Sequence, residues 1–358
     1  MIKWIEIDEK AIKNNIRAIK SKLGRTKLMV VVKANAYGHG ITKISEIAEK
    51  EKADMLGVMN LYEAIKIKEG SIKLPVMILS PSIEDEILPT IKKGFIPTVD
   101  RPEIIKKIKK LNIKNININL DIDTGLKRWG VDINRALEFS KEIKKEKNIN
   151  LFSVSTHIAY TPYKNMIDAR EKLEKFKNTA LKIKEIFPDT IIHCANTLIF
   201  LDFPDYYFDM VRIGNLIYGI YPSDIYSKKE KSPVKLGIKR PWKFLAKIIS
   251  VKEVKKGENF GYAGEIVANR NMRIATIPVG YSDGLSMSPT DNVYKITEGE
   301  RMWADINGKK AYFISKPSIS HTLIDITEIK DAGIGTVVSI PVRRTAANSL
   351  IARIYIKK

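Results

Sequence analysis

The chain has 358 residues, of which 44% are hydrophobic and 29% charged, and its 62 Lys plus Arg against 41 Asp plus Glu leave a net charge of +21. That apolar fraction excludes a disordered basic tail, and no run of about eighteen apolar residues offers a membrane-spanning helix. One Cys excludes an internal disulfide and a Cys-rich zinc site, calls for no metal, and fits a reducing cytoplasm.

The first residues, Met1-Ile2-Lys3-Trp4-Ile5-Glu6-Ile7-Asp8, have no secretory pattern, so a soluble, cytoplasmic protein is expected. From about residue 27 to 215, short β-branched runs alternate with helix-like stretches. The predicted strands are 28–33, 55–59, 75–79, 96–99, 118–122, 152–157, 191–194 and 210–212, with helical period between most of them, as in 41–50, 134–147 and 169–186. Strand and helix in alternation imply parallel pairing, and eight such units predict a (β/α)8 TIM-type barrel within the α/β class. After Lys239-Arg240-Pro241-Trp242 the texture changes to short strands at 244–251, 273–279, 310–314, 322–327 and 335–340, with turn signals at 286–291 and Asn307-Gly308. The expected division is a barrel over 1–237 and a mostly β domain over 238–358, the first eight or so residues pairing with the β domain.

A calculated pI near 9.6 raises nucleic-acid binding as one reading. Against it, the chain has 48 Lys and only 14 Arg, and Lys-rich stretches such as Ile105-Lys106-Lys107-Ile108-Lys109-Lys110-Leu111 alternate with Ile at helical spacing. They read as solvated faces of amphipathic helices, so no nucleic-acid partner is expected. Barrels place their chemistry at the C-terminal ends of the strands. Those ends carry Lys33, Asp123 with Arg128, His157, Asn196-Thr197 and Arg212. Such cations are poor core material and good material for an anionic, phosphorylated ligand.

The first barrel strand ends Val31-Val32-Lys33-Ala34-Asn35-Ala36-Tyr37-Gly38-His39-Gly40. Further along come Asp123-Thr124-Gly125-Leu126-Lys127-Arg128-Trp129-Gly130, Thr156-His157-Ile158-Ala159, His193-Cys194-Ala195-Asn196-Thr197 and Val211-Arg212-Ile213-Gly214-Asn215. The β region adds Phe260-Gly261-Tyr262-Ala263 and Ile277-Pro278-Val279-Gly280-Tyr281-Ser282-Asp283-Gly284. In this order the segments resemble the alanine racemases, a fold-type-III family dependent on pyridoxal 5′-phosphate (PLP).

The resemblance implies roles residue by residue. Lys33 would hold PLP covalently and act as one acid/base. Tyr262, from the β domain of a second subunit, would act on the opposite face, which implies a homodimer. Together they would interconvert L- and D-alanine, one group removing the α-proton and the other returning one. Arg212 would point at the pyridine nitrogen, and His157 would pack near the ring and link Arg212 with Tyr262. Asn196 would also bind the cofactor, and Tyr37, Thr197, Gly214 and Asn215 would cradle the phosphate. Arg128 and the main-chain amide of Ile319 would bind the substrate carboxylate, with Tyr281 near the entrance.

Three departures bear on the substrate. Asp121 stands where many relatives carry a carbamylated lysine, and would pair with Arg128 directly. Ser318-Ile319-Ser320-His321 replaces the family's Cys-Met-Asp-Gln segment, and the C-terminal gate tyrosine is missing: only 18 residues follow Ile340, with Tyr355 in a terminal strand. A racemase of other or broader range, for serine, lysine or ornithine, is therefore an alternative. A fold-type-III decarboxylase is a further one, and a catalytically silent PLP-binding barrel is disfavoured by the β region.

Overall fold

The chain opens with strand β1 (Lys3–Asp8) and helix α1 (Glu9–Lys20). The computed structural model describes residues 1–221, 236–261, 264, 266–285 and 302–357. It divides into two units, Ala11–Arg240 on one hand and Met1–Lys10 with Pro241–Lys358 on the other.

In the first of these, the strands are β2 (Lys27–Val31), β3 (Met55–Val58), β4 (Val76–Pro81), β5 (Ile96–Val99) and β6 (Ile116–Asp123). The two-residue β7 (Val131–Asp132) pairs beside β6, and β8 (Ile149–Thr156), β9 (Ile191–His193) and β10 (Met210–Ile213) follow. Eight of them run parallel in the order β10-β2-β3-β4-β5-β6-β8-β9. Main-chain bonds from Asp209 N to Ile192 O (3.1 Å) and from Arg212 N to Ala195 O (2.8 Å) join β10 to β9, the two ends of that order, and close the ring. Every predicted barrel strand is present, shifted by a few residues at most.

The connections are α2 (Lys33–Tyr37), α3 (Ile41–Lys50), α4 (Leu61–Glu69), α5 (Glu84–Lys92), α6 (Pro102–Lys109), α7 (Ile133–Lys144), α8 (Met166–Ile186) and α9 (Thr197–Asp202). Helix α6 shows where the charge goes. Its Ile104, Ile105 and Ile108 are buried, and Lys106, Lys107 and Lys109 lie in solvent. Pro102 starts it without losing a hydrogen bond that an interior position would need.

The barrel interior has two sectors. Met29, Met55, Met77, Ile96 and Met210 form an apolar layer. The unbranched thioethers fill irregular space that β-branched side chains would leave empty. On the β5–β6–β8 side the filling is polar. Thr98 Oγ1 donates to Ile78 O at 2.6 Å, and Asn119 Nδ2 donates to Thr98 Oγ1 and Ser155 Oγ. Ser153 Oγ donates to Asn119 Oδ1, and Ser155 Oγ to Asp121 Oδ1 at 2.5 Å. The register makes this possible, for Asn119 faces Ser153 and Asp121 faces Ser155. Polar residues two apart on each strand share one face of the pleat.

The other unit is mostly strand: β11 (Trp242–Lys247), β12 (Ser250–Val254), β13 (Asn259–Phe260), β14 (Ile266–Val267), β15 (Met272–Ile277), β16 (Trp303–Ile306), β17 (Lys309–Tyr312), β18 (Thr322–Asp325), β19 (Val337–Ile340) and β20 (Arg353–Ile356). One sheet runs β17-β16-β19-β11-β1-β20 and another β12-β15-β18. The chain start belongs here: β1 pairs antiparallel with β11 and parallel with β20, burying Ile5 and Ile7 completely. Tyr355 sits in β20 opposite Ile7, a terminal-strand position.

The single strand expected over 244–251 is in fact two. Ile248 N bonds to Thr336 O and Ile249 N to Thr276 O, so one extended run leaves one sheet and enters the other. Asn307 (φ 52°) and Gly308 (φ 83°) make the β16–β17 hairpin turn, as their left-handed preference predicts. The expected turn at 286–291 lies outside the described residues.

Candidate active site

A cavity of about 400 Å³ is lined from the barrel's strand ends by Lys33, Tyr37, Asp121, Arg128, His157, Asn196, Thr197, Arg212, Gly214 and Asn215. These are the predicted barrel-site residues, brought together from five different strands. Tyr281 and Ile319 belong to the other unit, where Ser282 N and Oγ both donate to Ile319 O. Tyr262 lies outside the described residues.

Lys33 stands on the first turn after β2, and that turn is left-handed. Ala34, Asn35, Ala36 and Tyr37 have φ of 52°, 53°, 54° and 53°. Each non-glycine residue there costs about 1–2 kcal/mol relative to the right-handed form. The turn is held by bonds from Ala36 N to Val32 O (2.8 Å), Gly38 N to Ala34 O (2.9 Å) and Ile41 N to Asn35 Oδ1 (2.8 Å). Burial, then the positive charge of Arg128, lowers the pKa of Lys33, with Glu63 opposing. More of the lysine is therefore neutral amine, the form that attacks and accepts protons.

Tyr37 stacks on Tyr218, with ring centres 4.7 Å apart, and Tyr218 Oη is anchored on Val31 O. Burial pushes the Tyr37 phenol up to about 12, so it remains a donor. A side chain at Gly214 would put its Cβ 2.4 Å from Tyr37 Oη, so only glycine permits this approach. Tyr37 Oη, Thr197 Oγ1 and the Asn215 side chain have no protein hydrogen-bond partner among the described residues, although Thr197 is only 6% exposed. These donors converge on one part of the cavity lining, and a phosphate offers acceptors for all of them.

Arg212 is 7% exposed and tightly held. Its Nη2 donates to Thr156 O at 2.6 Å and Cys194 O at 3.3 Å, and its Nη1 to His193 Nδ1 at 3.0 Å. A guanidinium can only donate, so His193 Nδ1 is an acceptor and the ring proton is on Nε2. Here half of the expectation for His157 is corrected: the histidine bonded to Arg212 is His193, at the end of β9, while the expected link to Tyr262 lies outside the described residues. His157 instead meets Asn196, whose Nδ2 lies 3.4 Å from His157 Nε2. The orientation of Asn196 is set by α9, because its Oδ1 caps Leu198 N and Ile199 N. Burial, then the charges of Arg212, Arg128 and Lys33, pushes His157 down to about 3, so it is a neutral ring.

A second expectation is also corrected. No ion pair within 4 Å joins Asp121 and Arg128. Asp121 takes its hydrogen bond from Ser155, and the Arg128 guanidinium lies 3.8 Å from the centre of the Trp129 ring. Asp121 lies in the strand while Arg128 lies in the loop beyond it, so their coupling acts through space. Burial pushes the carboxyl of Asp121 up to about 6, with Ser155, Arg212 and Arg128 pulling the other way. The Arg128 loop is shaped by Asp123, whose Oδ1 accepts from Gly125 N and Lys127 N. Gly130 (φ 107°) ends the loop where a Cβ would lie 2.6 Å from Asp123 N.

Cys194 is fully buried, and burial pushes its thiol up to about 12, so it is no nucleophile. Sequence reasoning passed over Ser155 and the polar column behind Asp121. Their signal is polar residues at every second position, Asn119-Leu120-Asp121 and Ser153-Val154-Ser155, within otherwise apolar strands.

The sequence profile of the alanine racemase N-terminal domain matches residues 7–222, and that of the alanine racemase C-terminal domain residues 242–353. An alanine racemase of Halothermothrix orenii is 30% identical over 338 residues, 93% of this chain and 85% of that protein. One from Methanococcus maripaludis is 29% identical over 344 residues, 94% of this chain and 88% of its own length. The solved alanine racemase of Clostridium difficile superposes with a TM-score of 0.90 at 24% identity, over 100% of this chain and 96% of that one, which supports the same fold. With two family domains spanning nearly its whole length, this chain belongs to the alanine racemase family.

Proposed function

We propose that this protein is a PLP-dependent isomerase that interconverts L- and D-alanine. The observation that carries the reading is the pairing, in one cavity, of a lysine of lowered pKa with hydrogen-bond donors gathered around Gly214. When bound, PLP withdraws electrons from the substrate Cα and so weakens its bond to hydrogen. The protein's part is to hold, orient and move protons.

Tyr37, Thr197, Gly214 and Asn215 would hold the phosphate, and Lys33 Nζ would supply the amine for covalent attachment. Arg212, a cation fixed by two carbonyls and His193, would disfavour protonation of the ring nitrogen. His157, being neutral, would adjoin the cofactor without adding charge. Arg128 takes the substrate carboxylate, and Asp121 behind it sets the local field. In the other unit the main-chain N–H of Ile319, without a partner among the described residues, is free to bind a carboxylate, and Tyr281 N bonds to Ser318 O one residue before it.

Racemisation requires a proton to leave one face of Cα and another to arrive on the opposite face. Lys33 Nζ serves one face. Tyr262, contributed by a second copy of the chain, serves the other, and the functional unit is a homodimer. Among the described residues no helix is long and apolar enough to cross a membrane. With one buried, reduced Cys, the cytoplasm is the compartment we assign.

The test is a panel of L- and D-amino acids, including serine, lysine and ornithine, followed by circular dichroism or chiral chromatography. Alanine interconversion is expected, lost in Lys33→Ala and severely reduced in Tyr262→Phe. Preference for another amino acid moves the assignment to a broader racemase, and the altered 318–321 segment is the first place to look. PLP bound with no interconversion of any amino acid overturns the reading.

A further inference from the structure

Glu63, whose charge opposes the lowering of the Lys33 pKa, also makes two bonds at the strand ends. It is the third residue of α4, and its two carboxylate oxygens serve different strand ends. Oε2 accepts from Met59 N at 2.9 Å, just past β3, and Oε1 accepts from Ala34 N at 2.6 Å, the residue after Lys33. Neither bond is needed to cap α4, because Asn60 Oδ1 already accepts from Glu63 N at 2.9 Å. In an ordinary capping box an acid at this position reaches back to the amide of the cap residue itself. Here it reaches one residue further, and its other oxygen crosses to a different βα loop.

The target of that second oxygen matters. Ala34 is the first of the four left-handed residues, and Lys33 immediately precedes it. A carboxylate held by a helix on one side and gripping the first amide of the strained turn on the other determines where that turn starts. The start of the turn sets the direction in which the Lys33 side chain leaves the backbone.

We propose that Glu63 is the positioning residue of Lys33, a carboxylate bridge between the ends of β2 and β3 that keeps the left-handed turn in register and the lysine aimed into the cavity. This deepens the racemase reading and rests on it for the role of Lys33. The same carboxylate raises the pKa of Lys33 against the lowering by burial and Arg128, so position and basicity are set by one group.

Glu63→Gln tests both. Gln keeps the shape and one acceptor, loses the charge, and turns an NH2 group toward one of the two amide donors. One readout is the pH dependence of Lys33 labelling by an amine-reactive reagent in the full-length protein freed of PLP, located by peptide mapping. The half-labelling pH is expected to fall by about half a unit to one unit. In the PLP-loaded enzyme, kcat is expected to fall about tenfold with KM for the amino acid changed less than about twofold. Glu63→Asp, which retains the charge on a shorter arm, is expected to return the labelling pH to the wild-type value while kcat stays low. Should Glu63→Gln not fold, Glu63→Asp alone carries the test of positioning, since its kcat must still fall.

Wild-type labelling pH and wild-type kcat in Glu63→Gln, whatever happens to its melting temperature, reduce Glu63 to an ordinary helix-end acid and overturn the proposal. Wild-type kcat in Glu63→Asp overturns the positioning part. If the wild-type protein labels at Lys33 but racemises nothing, the functional reading fails alone, because the labelling comparison needs no turnover.

Discussion

Two sectors of one barrel interior do different work. The Met29, Met55, Met77, Ile96 and Met210 layer holds strands together by filling space. The Thr98, Asn119, Ser153 and Ser155 column is equally buried, yet each member is tied by directional bonds that end on Asp121. A methionine layer tolerates changes of shape, since dispersion has little angular preference. A polar column does not, since every lost partner leaves a buried group unsatisfied. Space-filling therefore supports the strands, whereas directional bonding sets the place of a carboxylate at the edge of the cavity.

The comparison predicts different signatures for substitutions in the two sectors. The largest effect is expected for Met77→Ala, a cavity in the apolar layer, at about 2–5 kcal/mol of stability by denaturant unfolding. KM and kcat of the remaining folded enzyme should stay near wild type, and a large KM change would show that the two sectors are not independent. Asn119→Ala removes the centre of the polar column, leaving Ser153 Oγ without its acceptor and taking one donor each from Thr98 and Ser155. A loss of about 1–3 kcal/mol is expected together with a raised KM, because Asp121 loses its support.

Asp121→Asn keeps the acceptor for Ser155 but not the charge; because burial raises the carboxyl, the charged form costs stability at neutral pH, so the variant should be more stable there while KM rises about tenfold, or about 1.4 kcal/mol of binding. With its carboxyl pushed up to about 6, the difference from wild type should vanish as the pH falls below that value. A pH-independent difference would sink the through-space coupling to Arg128. At neutral pH the smallest effect concerns His157, whose folded pKa of about 3 lies below its ordinary 6.5. A depressed value means that the unfolded chain binds the proton more readily, so this contribution to stability is complete above about 6.5 and is lost as the pH falls towards 3. The melting temperature of PLP-free His157→Gln should fall less steeply over that interval than that of the wild type.

Much of the fold and of the site is legible in the amino-acid sequence. The eight barrel strands could be read because β-branched runs alternate with Lys-rich amphipathic stretches, and the cavity residues because they fall at strand ends in motifs that resemble one family. Other features were illegible for identifiable reasons. The stretch 244–251 is one apolar run, and only the partners Thr336 and Thr276 divide it between two sheets. His157 and His193 are both strand-end histidines, and only the barrel's geometry decides which one meets Arg212. Glu63 reads as a common first-turn acid, since nothing local announces that its second oxygen crosses to Ala34.

By itself the amino-acid sequence determined the barrel, the β region, the cluster of cations at the strand ends and the identity of Lys33, because periodicity and residue chemistry are local properties. Tertiary structure alone decided the left-handed turn under that lysine, the polar column that ends on Asp121 instead of an Asp121–Arg128 ion pair, and the lowered pKa of Lys33. Each of these depends on which groups meet across the barrel and on how much water is kept from them. Backbone strain is tolerated only when distant bonds hold it, and a pKa moves only when burial and neighbouring charges, supplied by residues far apart in the chain, converge on one atom.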